Sequence, residues 1–152
     1  MPARILETET LIPAELDEVF RFFSDAANLQ RITPPSLSFQ IATPMPIDMK
    51  AGTRIDYRLR LLGVPFRWKT LISVWDPPRR FVDVQEQGPY RIWEHEHRFE
   101  PIEGGTRMID RVRYLAPGGP LEPLVDSLFV SPRVRGIFQY RQHEIRRLFE
   151  NL

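Results

Sequence analysis

The 152-residue sequence predicts an α+β fold whose elements run strand, two short helices, six strands and one long helix. Three observations carry this. Residues 16–23 repeat apolar side chains with a helical period, residues 36–115 alternate in short runs broken by turn residues, and the chain after "APGGP" returns to a helical stripe.

Each element has a local reason. "ILETETLI" is extended, and Pro13 ends it. In "PAELDEVFRFFSD", Leu16, Val19, Phe20 and Phe23 fall at i, i+3, i+4 and i+7, with Pro13 near the N-terminus and acids in the first turns. Ser24 or Asp25 can cap a second helix, "AANLQRI", which stops before Pro34-Pro35. Six strand-like runs follow: "LSFQIA", "TRIDYRLRL", "FRWKTLISVW", "RFVDVQEQ", "YRIWEHEHRFE" and "TRMIDRVRYL". The breaks contain "KAG", "LGVP", "DPPR", "QGP" and "EGG", short connections that suit antiparallel hairpins. Ser131-Pro132 marks a kink or restart within the final helical region.

Composition narrows the classes. The length suits one domain spanning residues 1–152, large enough to bury a core without disulfides or metal. The absence of cysteine excludes a disulfide framework, a thiolate nucleophile and a cysteine-ligated metal, and points to a reducing compartment. The N-terminus lacks the apolar run of a signal peptide, and no segment reaches the roughly 18 apolar residues of a membrane span. The expectation is a cytoplasmic protein with no stable membrane insertion. A net charge of +1, from 21 basic and 20 acidic residues, argues against a nucleic-acid partner. The arginines of "SPRVRGIFQYRQHEIRRLFENL" read mostly as a solvated helix face. With no nucleotide-binding glycine motif, no cofactor is expected.

Side chains alternate across a strand, so each run divides into two faces. Glu94, Glu96, Arg98 and Glu100 oppose Arg107, Arg111 and Arg113 on the next run, the usual contents of a solvent face. Trp93, His95, His97 and Phe99 then point inward, with Met108, Asp110, Val112 and Tyr114. By the same division Ile55, Tyr57, Leu59, Leu61, Trp68, Thr70 and Ile72 face inward, as do Phe81, Asp83 and Gln85. On the last helix Val134, Ile137, Phe138, Arg141, Ile145 and Leu148 form one stripe with Arg141 at its centre. If that stripe covers the sheet, Arg141 either meets an inner carboxylate, Asp83 or Asp110, or snorkels to solvent. The inner face is thus aromatic yet polar. Unpaired burial of such groups costs about 1–3 kcal/mol each, so they pair or line a wet cavity.

Element order and residues together resemble the SRPBCC superfamily, the START/Bet v 1-like or helix-grip proteins that include polyketide cyclases and dehydrases. More closely, the chain is similar to bacterial ligand-binding SRPBCC-domain proteins of unassigned function. The resemblance lies in "IPAELDEVFRFFSDAANLQRITPP", the stretch from "AGTRIDYRLRLLGVPFRWK" through "GPYRIWEHEHRFEP", and "GGTRMIDRVRYLAPGGP". It implies a seven-stranded antiparallel sheet curled around the long C-terminal helix, with a cavity between them. It also implies a hydrophobic or amphipathic ligand that is lipid-, polyketide- or aromatic-like. Similar domains occur fused to short-chain-dehydrogenase-like epimerase domains.

The pair His95 and His97 admits several roles. As metal ligands they would lie roughly 6–7 Å apart at Cα on one strand face, with Asp110, Asp83 or His143 as a third ligand. No metal is expected, because nothing in the sequence selects that third ligand. In a polyketide cyclase- or dehydratase-like enzyme, His95, His97 and Asp110 would perform acid–base chemistry. In a binder, Tyr57, Trp68, Thr70, Phe81, Asp83, Gln85, Trp93, His95, His97, Asp110, Tyr114, Phe138 and Arg141 would line the cavity. Alternatively the polar groups only satisfy one another. A protein-interaction role would fall to the C-terminal helix or to Met45, Ile47 and Met49 of the loop "TPMPIDM". The reading adopted is a binder of a hydrophobic or amphipathic small molecule.

Overall fold

A computed structural model describes residues 2–150. Strand β1 (Arg4–Ile12) leads into helices α1 (Leu16–Phe23) and α2 (Ala26–Arg31) and a 3-10 turn at Pro35–Leu37. Strands β2 (Gln40–Ile41), β3 (Arg54–Leu61), β4 (Val64–Asp76), β5 (Arg80–Gln87), β6 (Ile92–Ile102) and β7 (Gly105–Leu115) follow. All neighbours pair antiparallel, in the order β1-β7-β6-β5-β4-β3-β2. Short hairpins explain the run from β7 to β3, β2 joins β3 across the longer connection 42–53, and β1 closes the other edge against β7.

One expectation changes. The run "LSFQIA" yields a strand of two residues, because Ser38 takes a left-handed conformation with φ of 47° and breaks the extended path. Ser131-Pro132 marks the restart of regular α-helix after a widened turn, as the sequence suggests. A turn at Gly119–Leu121, α3 (Glu122–Val125), a widened π turn (Asp126–Val130) and α4 (Ser131–Glu150) are continuous. Pro132 has no N–H for the carbonyl of Leu128 four residues earlier, and the widened turn absorbs that missing bond. Arg4 fixes this segment to β1, donating to Glu122 at 3.2 and 3.1 Å and approaching Asp126 at 2.9 Å.

Helix α1 buries Val19, Phe20 and Phe23, and Asp25 caps α2 by accepting from Ala27 N at 3.0 Å. The stripe of α4 lies on the inner face of the sheet. Ile145 and Phe149 pack with Phe20, Phe99 and Met108 at one end, and Val134 and Phe138 pack with Tyr90, Trp93, Val112 and Tyr114 at the other. On the outer face, Glu94–Arg113 and Glu100–Arg107 pair at 3.6 Å and Glu96–Arg80 at 3.1 Å. Such exposed pairs contribute little each. Val82, assigned outward by alternation, is nonetheless buried between Val74 and Glu96 of the flanking strands. Among the described residues, no helix is long and apolar enough to cross a membrane.

Candidate functional site

The polar residues form a band across the middle of the core. Along β6 the inward sequence is Trp93, His95, His97, Phe99, so the two histidines fall between the two apolar clusters. Register places Asp83 of β5 opposite His95, and Asp110 of β7 opposite His97. Arg141, between Phe138 and Ile145 on α4, enters the band from the helix side.

The bonds run diagonally. His95 Nε2 lies 2.7 Å from Asp110 Oδ1, and His97 Nε2 lies 2.6 Å from Asp83 Oδ2. Arg141 clasps Asp110 with both ends of its fork, Nε to Oδ2 at 3.3 Å and Nη2 to Oδ1 at 3.2 Å. Its Nη2 also meets His97 Nδ1 at 3.3 Å. A guanidinium only donates, so His97 Nδ1 accepts there, and Nε2 carries the proton that His97 gives to Asp83. Of the two fates open to Arg141, pairing with Asp110 is the one observed, at 4 % exposure.

Electrostatics agree with this protonation pattern. Burial, helped by the neighbouring His95, pushes His97 down to about 4, against the opposing pull of Asp83. Burial raises Asp110, but the charge of Arg141 and the bond from His95 outweigh it and hold the carboxyl well below its usual range. Asp83 is likewise raised by burial and lowered by more, chiefly through the His97 bond. Burial drives the Tyr57 phenol upward, which keeps it protonated. His97 is sandwiched between Phe81, 4.0 Å away, and His95, 3.7 Å away, while Phe138 meets His95 edge-on.

Beside this band lies a cavity of about 160 Å³. Of the residues assigned to it from sequence, Tyr57, Trp68, Thr70, Phe81, Asp83, Trp93, His95, His97, Phe138 and Arg141 line it. Three of the assigned residues stand outside its wall. Asp110 sits behind the histidines, Tyr114 faces Asp126 and Ser131 at the far end of the helix, and Gln85 turns to the β5–β6 connection. The Gln85 carboxamide donates to Tyr90 O at 2.7 Å and accepts from Tyr90 N at 3.2 Å, which engages both of its ends with the connection backbone.

The sequence reading missed the opposite wall. Ala26 and Leu29 from α2, Ile32 just past its end, then Leu37 and Phe39 form it, and Tyr90 joins Trp68 and Trp93 in the lining. The spacing of Ala26, Leu29 and Ile32 in "AANLQRI" is a one-sided helical pattern that could have signalled it. Of the proline-rich loop, Met49 lines the cavity, Ile47 packs with the cluster of Ala26, Ile55 and Tyr57, and Met45 is exposed.

Asp83, His95 and His97 each offer one donor atom, all within 4.8 Å of one another, a set whose chemistry suits iron or zinc. Coordination through His97 Nε2 would require its lone pair, whereas the bond from Arg141 to Nδ1 puts a proton on Nε2. A cation would therefore need Arg141 to release His97. His143 is exposed, away from the buried Arg141 face of α4.

Solved structures share this architecture. The Zhui aromatase/cyclase from Streptomyces sp. R1128 superposes with a TM-score of 0.73 at 14% identity, over 97% of this chain and 94% of that one. Ginseng major latex-like protein 151 from Panax ginseng gives 0.70 at 12% identity, over 98% and 99%. The nucleoside-diphosphate sugar epimerase from Corynebacterium glutamicum gives 0.67 at 24% identity, over 93% of this chain and 28% of that one. At these identities the likeness is one of fold. A search of the curated proteins finds no match. The family model described as polyketide cyclase / dehydrase and lipid transport matches residues 4–150, and the chain belongs to that family within the SRPBCC superfamily.

Proposed function

We propose that the protein binds a small amphipathic molecule with a planar apolar body in the cavity between sheet and α4. The observation that carries this reading is the composition of the wall. Aliphatic and aromatic groups from α2, β3, β4 and α4 surround the space, and Asp83, His95 and His97 concentrate polarity on one side. Size narrows the class. A cavity of about 150 Å³ holds one benzene ring, whereas drug-sized ligands occupy roughly 300–1,000 Å³. At about 160 Å³ this space suits one ring, and a multi-ring polyketide or an acyl chain needs the wall to move.

Native and denaturing mass spectra of protein purified gently from its own host test the reading, alongside titration with toluene and p-cresol followed by tryptophan fluorescence. The expected result is an adduct lost on denaturation and saturable quenching that Ile137→Trp abolishes. A bare mass, with no response to either ring compound, would sink it.

A second reading, acid–base chemistry at His95, has one observation in its favour. Nε2 of His95 is bonded to Asp110, itself held by Arg141, while Nδ1 makes no hydrogen bond among the described residues and stands 4.0 Å from Asp83. Turnover of an identified ligand, lost in His95→Ala with binding retained, would select this reading over simple binding.

A further inference from the structure

We propose that the cavity selects ligands carrying a hydrogen-bond donor, a hydroxyl or an ammonium, and rejects carboxylates. The inference rests on reading the cavity as a ligand site, and it follows from which polar groups the band leaves unmatched.

An arginine facing a pocket ordinarily suggests an anionic ligand, and Arg141 does line this one. Its charge is paired with Asp110 through Nε and Nη2, and only Nη1 is without a hydrogen bond among the described residues. Both oxygens of Asp110 take its N–H groups, and the remaining contact of Nη2 goes to His97. Its guanidinium carbon lies over the rings of Phe23 and Phe138, 5.3 and 6.0 Å from their centroids, which encloses the group.

Asp83 is in the opposite position. It lines the cavity, keeps 20 % of its side-chain surface, and bonds through Oδ2 to the Nε2–H of His97. Oδ1 has no hydrogen-bond partner among the described residues, and no Lys or Arg pairs with Asp83 there. His97 is neutral because Arg141 occupies its Nδ1, so it supplies one proton to Asp83 and no compensating charge. The polar side of the cavity therefore presents an acceptor oxygen that no Lys or Arg neutralises, the nearest other imidazole nitrogen being His95 Nδ1, 4.0 Å from Oδ2. A ligand hydroxyl or ammonium would give Oδ1 its missing donor. A ligand carboxylate would place a second anion beside it inside a largely apolar enclosure, where like charges repel strongly.

The test is a set of ligands of one shape at pH 7: toluene, p-cresol, 4-methylanisole, 4-methylbenzylamine and 4-methylbenzoate, titrated into the wild-type protein by calorimetry or by ligand-observed NMR. A charge-assisted hydrogen bond predicts that p-cresol or the amine binds about tenfold or more tightly than 4-methylanisole and toluene, with the benzoate weakest. The tighter of the two donors assigns hydroxyl or ammonium. In Asp83→Asn the advantage of the donors shrinks and the benzoate gains. Equal binding of toluene, anisole and cresol, or tightest binding of the benzoate, overturns the inference and leaves the cavity as a ligand site. If none of the five binds, toluene included, the ligand-site reading falls as well. The wild-type series decides the matter even if Asp83→Asn fails to fold.

Discussion

His95 and His97 stack with ring centroids 3.7 Å apart, and each bonds the carboxylate that the strand register places opposite the other. The crossed arrangement locks β5, β6 and β7 together through side chains as well as backbone. Arg141 extends the lock to α4, since Asp110 receives His95 from the sheet and the guanidinium from the helix. The helix is therefore fixed over the sheet by apolar packing at both ends and by one ion pair at its centre.

Removing the guanidinium alone should be costly. In Arg141→Met the buried Asp110 keeps its charge with only His95 to bond it, and breaking one side of a buried pair typically costs about 3–5 kcal/mol. Asp110→Asn in the same chain removes the stranded charge, so the double variant should be more stable than Arg141→Met alone. Urea unfolding of the wild type and the two variants reads this directly. A cost below about 1 kcal/mol for Arg141→Met would mean that the pair is not buried as described.

Acid should destabilise the protein in two stages. Unfolded His97 takes a proton near its ordinary 6.5, but the folded residue does so only near 4. Between those values the unfolded state binds more protons, so the stability present above about pH 6.5 is lost as pH falls toward 4. The full term is on the order of 3 kcal/mol. Asp110 and Asp83, both held below their ordinary 3.8, contribute stability that is lost only as pH falls further. Unfolding free energies at pH 7, 5.5 and 4.5 should decline in the wild type and decline less in His97→Gln. Parallel curves for the two proteins would contradict the assignment.

Alternation along β6 and β7 already placed His95, His97 and Asp110 on the inner face, and the helical period put Arg141 at the centre of the apolar stripe, with pairing and snorkelling both open. Periodicity resolves which face a residue occupies, so these positions were legible. It does not resolve partners across strands. Choosing between Asp83 and Asp110 for Arg141 depends on register and on the axial position of α4, which hairpin lengths and packing set together. The α2 wall was hidden for a related reason. A six-residue helix and the irregular chain through Leu37 and Phe39 carry too short a pattern to show what they face. Gln85 shows the limit of the alternation argument itself, because inward parity did not prevent its carboxamide from turning to the loop backbone.

That loop contact makes Gln85 a positioning residue whose effect passes through Tyr90. The Tyr90 ring lies 4.8 Å from Trp93 and 5.5 Å from Trp68, and all three line the cavity. Two independent substitutions can break the clasp. Gln85→Leu removes the carboxamide and leaves two buried or half-buried backbone groups of Tyr90 unpaired, at about 1–3 kcal/mol. Gly88→Ala leaves Gln85 in place, but the added Cβ collides with its Oε1, and the flexible side chain is what must move. If both act by releasing the same contact, their costs should be similar, and the double variant should cost little more than either alone. A residue that touched ligand directly would behave differently: Gln85→Leu would weaken p-cresol binding while Gly88→Ala spared it. The positioning role predicts instead that both variants loosen binding in parallel with the change in tryptophan emission. A double-mutant cycle on unfolding free energy, run beside p-cresol titrations of the same three proteins, separates the two cases. Additive costs, or binding lost in only one single variant, would remove Gln85 from the support of the cavity wall.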